Sequence, residues 1–125
     1  MAVRRLSSPV VAALDAAKIL GIRAGTDGHR FIGIWVVVAE GRVFVRSYTR
    51  KPRSWWRTFL ENPRGEIQVG SRTIRIRGVQ VRSERLRKAV DLAYANKYNT
   101  PGAVKYVRGF RLPARRATTT ELVPR

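Results

Sequence analysis

Residues 31–48 read FIGIWVVVAEGRVFVRSY, two β-branched, apolar stretches on either side of Glu40-Gly41. After that dipeptide Val43, Val45 and Ser47 alternate with Phe44, Arg46 and Tyr48, the period-two pattern of a strand with one buried face. Glu40-Gly41 is the kind of pair that tolerates the positive backbone angles of a two-residue hairpin turn. Upstream, Asp27-Gly28 is a second such turn signal. The expected unit is a meander of three antiparallel strands over about 21–27, 29–39 and 42–49. Gly33, inside the middle strand, marks a bulge or a place where something approaches the backbone.

The same reading extends in both directions. Ser54 is placed to cap a short helix, SWWRTFLEN, which Asn62-Pro63 closes. EIQV and TIRIRGVQVR flank Gly70-Ser71, another hairpin signal. In the second of these Ile74 and Ile76 are even-numbered while Val79 and Val81 are odd, which predicts a one-residue bulge near Gly78. Ser83 then caps ERLRKAVDLAYANKY, where Leu86, Ala89, Val90, Ala93 and Lys97 recur at helical spacing. Residues 99–116 are basic and broken by Gly and Pro, and ATTTELV has the composition of a last strand. At the other end Ser8, Pro9 and Gly21 bracket a helix over 9–20. The final LVPR matches the scar of a protease-cleaved tag, so Arg125 receives no reading. No internal repeat is found. The expectation is one domain over residues 1–125 of mainly β (α+β) class: a six-stranded antiparallel barrel with flanking helices.

Bulk properties limit the partners. With 125 residues and 44% hydrophobic content the chain can bury a core of its own. Without cysteine it has no disulfide, no thiolate metal site and no cysteine nucleophile. The longest apolar run, 34–39, falls far short of the roughly 20 residues that span a bilayer, and no signal-peptide pattern opens the chain, so a soluble cytoplasmic protein with no membrane partner is expected. A net charge of +18 points to an anionic partner. Its arginines, however, run from Arg4 to Arg125 and form no tail.

One segment joins that charge to aromatic surface. RSYTRKPRSWWRTFLENP, residues 46–63, sets Arg46, Arg50, Lys51 and Arg53 beside Trp55 and Trp56. Guanidinium forks hold phosphate oxygens, a serine hydroxyl adds a donor, and aromatic faces stack on rings. The combination suits a phosphate-bearing aromatic cofactor or a nucleic acid. Protein-borne catalytic signals are weak. His29, the one histidine, follows a turn, the eight carboxylates are scattered, and no phosphate-binding loop, nucleophile elbow or metal motif is present.

The string WWRTFLENPRGEIQVG resembles a stretch of the deazaflavin-dependent nitroreductases and quinone reductases within the FMN-binding split-barrel superfamily. More closely, GTDGHRFIGIWVVVAEGRVFVRSYTR and the ATTTELVPR end resemble a family of uncharacterised small bacterial proteins of that superfamily. The resemblance implies a split barrel, commonly a homodimer, that binds FMN or a deazaflavin coenzyme and passes hydride to a small organic acceptor. It puts the phosphate near Arg46, Ser47, Arg50, Lys51 and Arg53. Tyr48, Trp55 and Trp56 are then the ring contacts, with Ser54 opening the helix beside them. Tyr98 and Tyr106, with Tyr94, are candidates to line a substrate pocket, and Arg115 is expected to lie apart from the site. Two other readings stay open: a cofactor-free split barrel that binds a small molecule, and a basic nucleic-acid-binding β-barrel with Arg50, Lys51, Arg53 and the tryptophans as its footprint. No metal is expected.

Overall fold

At Glu40-Gly41 the backbone makes the expected turn, with φ of 55° and 71°, so that Ala39 pairs directly with Arg42. Two positive angles are the signature of the hairpin turn whose twist matches its strands. The fold around this hairpin, taken from a computed structural model, is described for residues 5–28, 30–49 and 51–125. In chain order the elements are α1 (Ser8–Ala16), β1 (Leu20–Ala24), β2 (Ile32–Ile34), β3 (Val37–Ala39), β4 (Arg42–Val45), α2 (Trp55–Glu61), β5 (Arg64–Val69), β6 (Arg72–Gln80), α3 (Glu84–Lys97), α4 (Val104–Phe110), α5 (Pro113–Arg116) and β7 (Thr120–Pro124).

The described strands form one antiparallel sheet in the order β2-β1-β5-β6-β7-β4-β3. Its two edge strands are consecutive in sequence, separated only by Trp35 and Val36. One bent stretch of chain therefore passes from one edge of the sheet to the other, and the sheet curls into a half-barrel. This is why there are seven strands and not six: the expected middle strand is two short ones with a bend between them.

Cross-strand partners share a face, so the register sorts the side chains into two layers. Leu20, Ile22, Ile67, Ile76, Leu122, Val43 and Val45 point into the barrel, where α2 adds Trp55, Trp56 and Phe59 and α1 adds Val10 and Leu14. On the outer face Val37 and Phe44 are covered by Leu86, Val90 and Tyr94 of α3 and by Val107 and Phe110 of α4. That cover reaches only the β4 side of the sheet.

Three local expectations are corrected. The first helix starts at Ser8, with Ser7 and not Ser8 at the cap position, and ends at Ala16; Leu20 and Gly21 belong to β1, because both pair with β2 and Gly21 also pairs with Gln68 of β5. Asp27-Gly28 is not a two-residue turn: it lies in a longer connection between Ala24 and Ile32, in which Gly25 and Gly28 take positive φ. No bulge interrupts β6. Its pairing with β5 and β7 runs without a break, and Val79 is exposed. Gly78 has another cause. A Cβ there would come within 2.9 Å of Phe59, and one on Gly65 within 2.8 Å, so the two glycines form the seat for that ring. The caps at Ser54 and Ser83 form as expected, each hydroxyl accepting from the amide three residues on at 3.3 Å. Leu122, Val123 and Pro124 are integral to β7, whatever the origin of the residue that follows.

Candidate functional site

Where the chain crosses between the sheet edges, it leaves a cleft of about 500 Å³. One wall is the bent strand, Ile32, Gly33, Ile34 and Trp35. Opposite lie the residues that leave β4, from Arg46 to Thr49, with Ser54 and Trp55 at the start of α2 and Tyr106 and Phe110 on α4. Each element is brought here by its own local rule. The Ser54 cap starts α2 beside the opening, and α4 docks because Val107 and Phe110 join the outer core.

The aromatic lining is ordered from behind. Trp35 lies flat on Tyr98, with centroids 4.0 Å apart and planes 5° apart, and meets Tyr106 edge-on at 6.1 Å. Tyr98 is buried, and its hydroxyl accepts from the Val36 amide at 3.0 Å. Its own proton faces the carbonyl oxygens of Lys18 at 2.7 Å and Val36 at 3.1 Å. Lys97 also donates to the Val36 carbonyl, at 2.8 Å, and to that of Leu14 at 3.0 Å. The bend that makes the cleft is thus fastened to α3. Burial raises the Tyr98 hydroxyl from its ordinary value, and the Val36 hydrogen bond opposes the shift.

On the other wall Tyr48 packs edge-on against Phe110 at 5.4 Å and Tyr106 at 5.8 Å. The Arg115 guanidinium lies 3.6 Å above the Tyr48 ring, and its Nε donates to the Tyr48 carbonyl at 2.9 Å. Gly109 makes the fit feasible, since a Cβ at that position would stand 2.8 Å from the Tyr48 hydroxyl.

At the inner end of the cleft Arg46 is buried, its side chain 0% exposed. Nε donates to Thr119 at 2.8 Å, one terminal nitrogen to Asp91 at 2.6 Å and to the Phe110 carbonyl at 3.1 Å, and the other to the Arg87 carbonyl at 2.9 Å. Desolvation lowers this guanidinium from its ordinary value, and Asp91 works in the opposite sense. Four protein acceptors satisfy the group, as a buried charge requires. The neighbouring Ser47 amide donates to Thr118 at 2.9 Å, and the Ser47 hydroxyl donates to the Thr49 carbonyl.

Of the residues singled out in the sequence, Arg46, Ser47, Tyr48, Ser54, Trp55 and Tyr106 come together around this cleft. Others lie elsewhere. Lys51 and Arg53 are exposed on the loop between its lining residues Thr49 and Ser54, and Arg53 borders a smaller hollow of about 230 Å³ with Trp55 and Arg30. Trp56 is buried on the barrel side, where its indole N–H donates to Gln80 at 2.8 Å, and Tyr98 stands behind Trp35. Both tryptophans of the expected nucleic-acid footprint are buried. Arg50 and His29 lie outside the described residues. Arg115, expected apart from the site, supports its Tyr48 wall. Sequence reasoning missed Trp35 and Phe110 as lining and Thr118 and Thr119 as anchors for residues 46 and 47. A row of threonines entering a strand was the available signal for the last two. Among the described residues no group of three or more histidine, cysteine, aspartate or glutamate side chains is placed to hold a metal ion, and no helix is long and apolar enough to cross a membrane.

Fold and cleft together define a class: antiparallel half-barrels with an aromatic-walled opening at the seam of the sheet. Within it, the chain belongs to the family described as uncharacterized proteins conserved in bacteria (DUF2255), whose model matches residues 10–122. Two solved structures share the fold. A conserved hypothetical protein from Mycobacterium tuberculosis superposes with a TM-score of 0.62 at 13% identity, covering 98% of this chain and 81% of the other. An FAD-binding protein from Mesorhizobium loti superposes with a TM-score of 0.51 at 19% identity, covering 98% of this chain and 91% of the other. No curated protein matches the chain.

Proposed function

We propose that the cleft holds the ring system of a flavin-class cofactor, FMN or a deazaflavin coenzyme, and that the protein is an oxidoreductase acting on a small organic molecule. The observation that carries this reading is the cleft itself: apolar and flanked by Trp35, Trp55, Tyr48, Tyr106 and Phe110, with the exposed Lys51 and Arg53 lying in the chain between its lining residues Thr49 and Ser54. The residues present fit such a group. Aromatic faces suit a planar ring, and the exposed loop cations suit a phosphate at the rim. When bound, the cofactor supplies the hydride chemistry. The chain's part is to exclude water from the ring and fix its plane between the bent strand and α4. A titration of the purified protein with FMN and with a deazaflavin coenzyme, followed by visible absorption and tryptophan fluorescence, tests it. Saturable quenching is expected, and Arg53→Ala should weaken it by about 1.5–3 kcal/mol, the range for a lost charged hydrogen bond. Absence of binding at millimolar cofactor sinks the reading.

A second reading is favoured by one observation. The Arg46 guanidinium, at the inner end of the cleft, is engaged by the protein itself. A cofactor-free barrel that binds a small apolar molecule is consistent with that. It predicts that uncharged aromatic probes quench Trp35 and Trp55 while flavins do not. The homodimer expected from the resemblance fits the exposed Ile32 of the cleft lining and the exposed Ile19, which lies against the lining residue Gly33, and sedimentation of the purified chain measures it.

A further inference from the structure

The outer face of the sheet is only half covered. Over β3 and β4 it carries α3 and α4, but over β1, β5 and β6 no helix among the described residues packs on it. On that bare half the register sets Arg23, Glu66 and Arg75 in one row across three strands, and Arg64 and Arg77 in the next. Glu66 is engaged by Arg23 at 2.5 Å. Arg64, Arg75 and Arg77 are exposed, and among the described residues their guanidinium groups have no acidic partner. Like charges directly opposite on neighbouring strands disfavour the pairing, and Arg64 faces Arg77 in that way. Beside them the 25–28 connection borders a polar hollow of about 510 Å³, shared with Arg23, Arg64, Glu66 and Arg75. The arrangement is a built concentration of unneutralised guanidinium on the outer face of the half-barrel, in a chain whose net charge is +18.

We infer that this bare face is a docking surface for the phosphodiester backbone of duplex nucleic acid, bound without regard to sequence. Charge complementarity argues for a polyphosphate partner, and guanidinium is the side chain best matched to phosphate oxygens. The face also lacks what the other nucleic-acid form requires. Single strands are held by bases stacked on exposed aromatic rings, whereas among the described residues the aromatic ring at this face, Phe31, is covered by Arg23 at 4.3 Å. A duplex needs only phosphate contacts to be held. The surface is separate from the cleft, so it stands or falls independently of the proposed cofactor.

The test is fluorescence anisotropy of a short labelled DNA duplex of arbitrary sequence, measured from about 50 to about 200 mM salt, with the single strand in parallel. One variant carries Arg64→Gln, Arg75→Gln and Arg77→Gln. A second carries Lys88→Gln, Arg108→Gln and Arg111→Gln, which removes the same charge from the α3–α4 side. The first variant should lose at least tenfold in affinity and lower the salt slope by about 3, roughly one per phosphate contact. The second should keep the wild-type slope to within about 1. Should the first triple variant melt early, Arg77→Gln alone carries the test, with a slope change of about 1. Equal losses in both variants, single-strand binding as tight as duplex binding, or equal competition by phosphatidylserine vesicles overturns the inference.

Discussion

Trp35 lies flat on Tyr98, 4.0 Å between centroids, and the same tyrosine grips both polar atoms of the next backbone unit, Val36. One side chain therefore sets the bend between the sheet edges and the indole that borders the cleft. Tyr98→Phe keeps the ring and removes the grip, leaving the buried Val36 amide without that acceptor. The expected cost is about 1–3 kcal/mol in urea unfolding. Trp35 emission should change in the folded variant as well. A variant as stable as wild type, with unaltered emission, would show that the bend does not depend on the hydroxyl.

Tyr94 and Tyr98 also predict the alkaline behaviour. Burial raises both hydroxyls above the ordinary value of about 10, with the Arg46 charge opposing the shift at Tyr94. The folded state then keeps protons that the unfolded chain releases first. The stability tied to them is fully present below pH 10 and is lost as the pH rises through the folded values. Melting temperature should fall above pH 10, and less steeply in Tyr98→Phe. An equal slope in the two proteins would remove Tyr98 from the account.

Phe59 on its glycine seat gives a packing test. Gly78→Ala drives a Cβ to 2.9 Å from the ring, and overpacking of this kind costs about 1–3 kcal/mol. Gly102→Ala meets nothing within 4 Å and should stay within about 0.5 kcal/mol of wild type. Combining Gly78→Ala with Phe59→Leu should recover part of the loss, because the two changes act on one contact.

For Arg46 the prediction concerns stability rather than ligand affinity. Arg46→Gln abandons the Phe110 and Arg87 carbonyls and half of the Asp91 pairing, and breaking a buried ion pair costs about 3–5 kcal/mol. Arg116 also holds Asp91, at 3.1 Å, which places the expected loss at the lower end. A shift in the urea midpoint measures it.

What could be read in advance follows from the range of the interactions concerned. The Glu40-Gly41 and Gly70-Ser71 hairpins, the Ser54 and Ser83 caps and the amphipathic α3 are written in neighbouring residues, and the structure has them where the sequence put them. The resemblance also identified the family. The split of 29–39 into two edge strands was hidden, because the bend is held from 62 residues away by Tyr98 and carries no Pro or Gly of its own. The parity change at Gly78 was misread for a related reason: Val79 alternates as a buried residue would, yet is exposed on the half of the sheet that no helix among the described residues covers. In the site, the cluster around residues 46–55 was legible as cations beside aromatics. Which cations are free was not, since Asp91 and Thr119 reach Arg46 only through the tertiary fold.

Arg115 and Tyr48 give the sharpest test of the cleft. The guanidinium stacks at 3.6 Å and holds the Tyr48 carbonyl, so it fixes a wall residue that is otherwise 42% exposed. A cation over an aromatic ring contributes about 0.5–1 kcal/mol at such sites, and the lost hydrogen bond adds about 1. Arg115→Ala should thus weaken a ring-shaped ligand several-fold by loosening Tyr48, with a small change in melting temperature. Arg111→Ala removes a neighbouring exposed charge and should leave affinity unchanged. Arg115→Lys discriminates the cause: lysine keeps the charge but lacks the planar face and fork, so it should behave like the alanine variant. If lysine restores full affinity, long-range charge and not the position of Tyr48 governs the site.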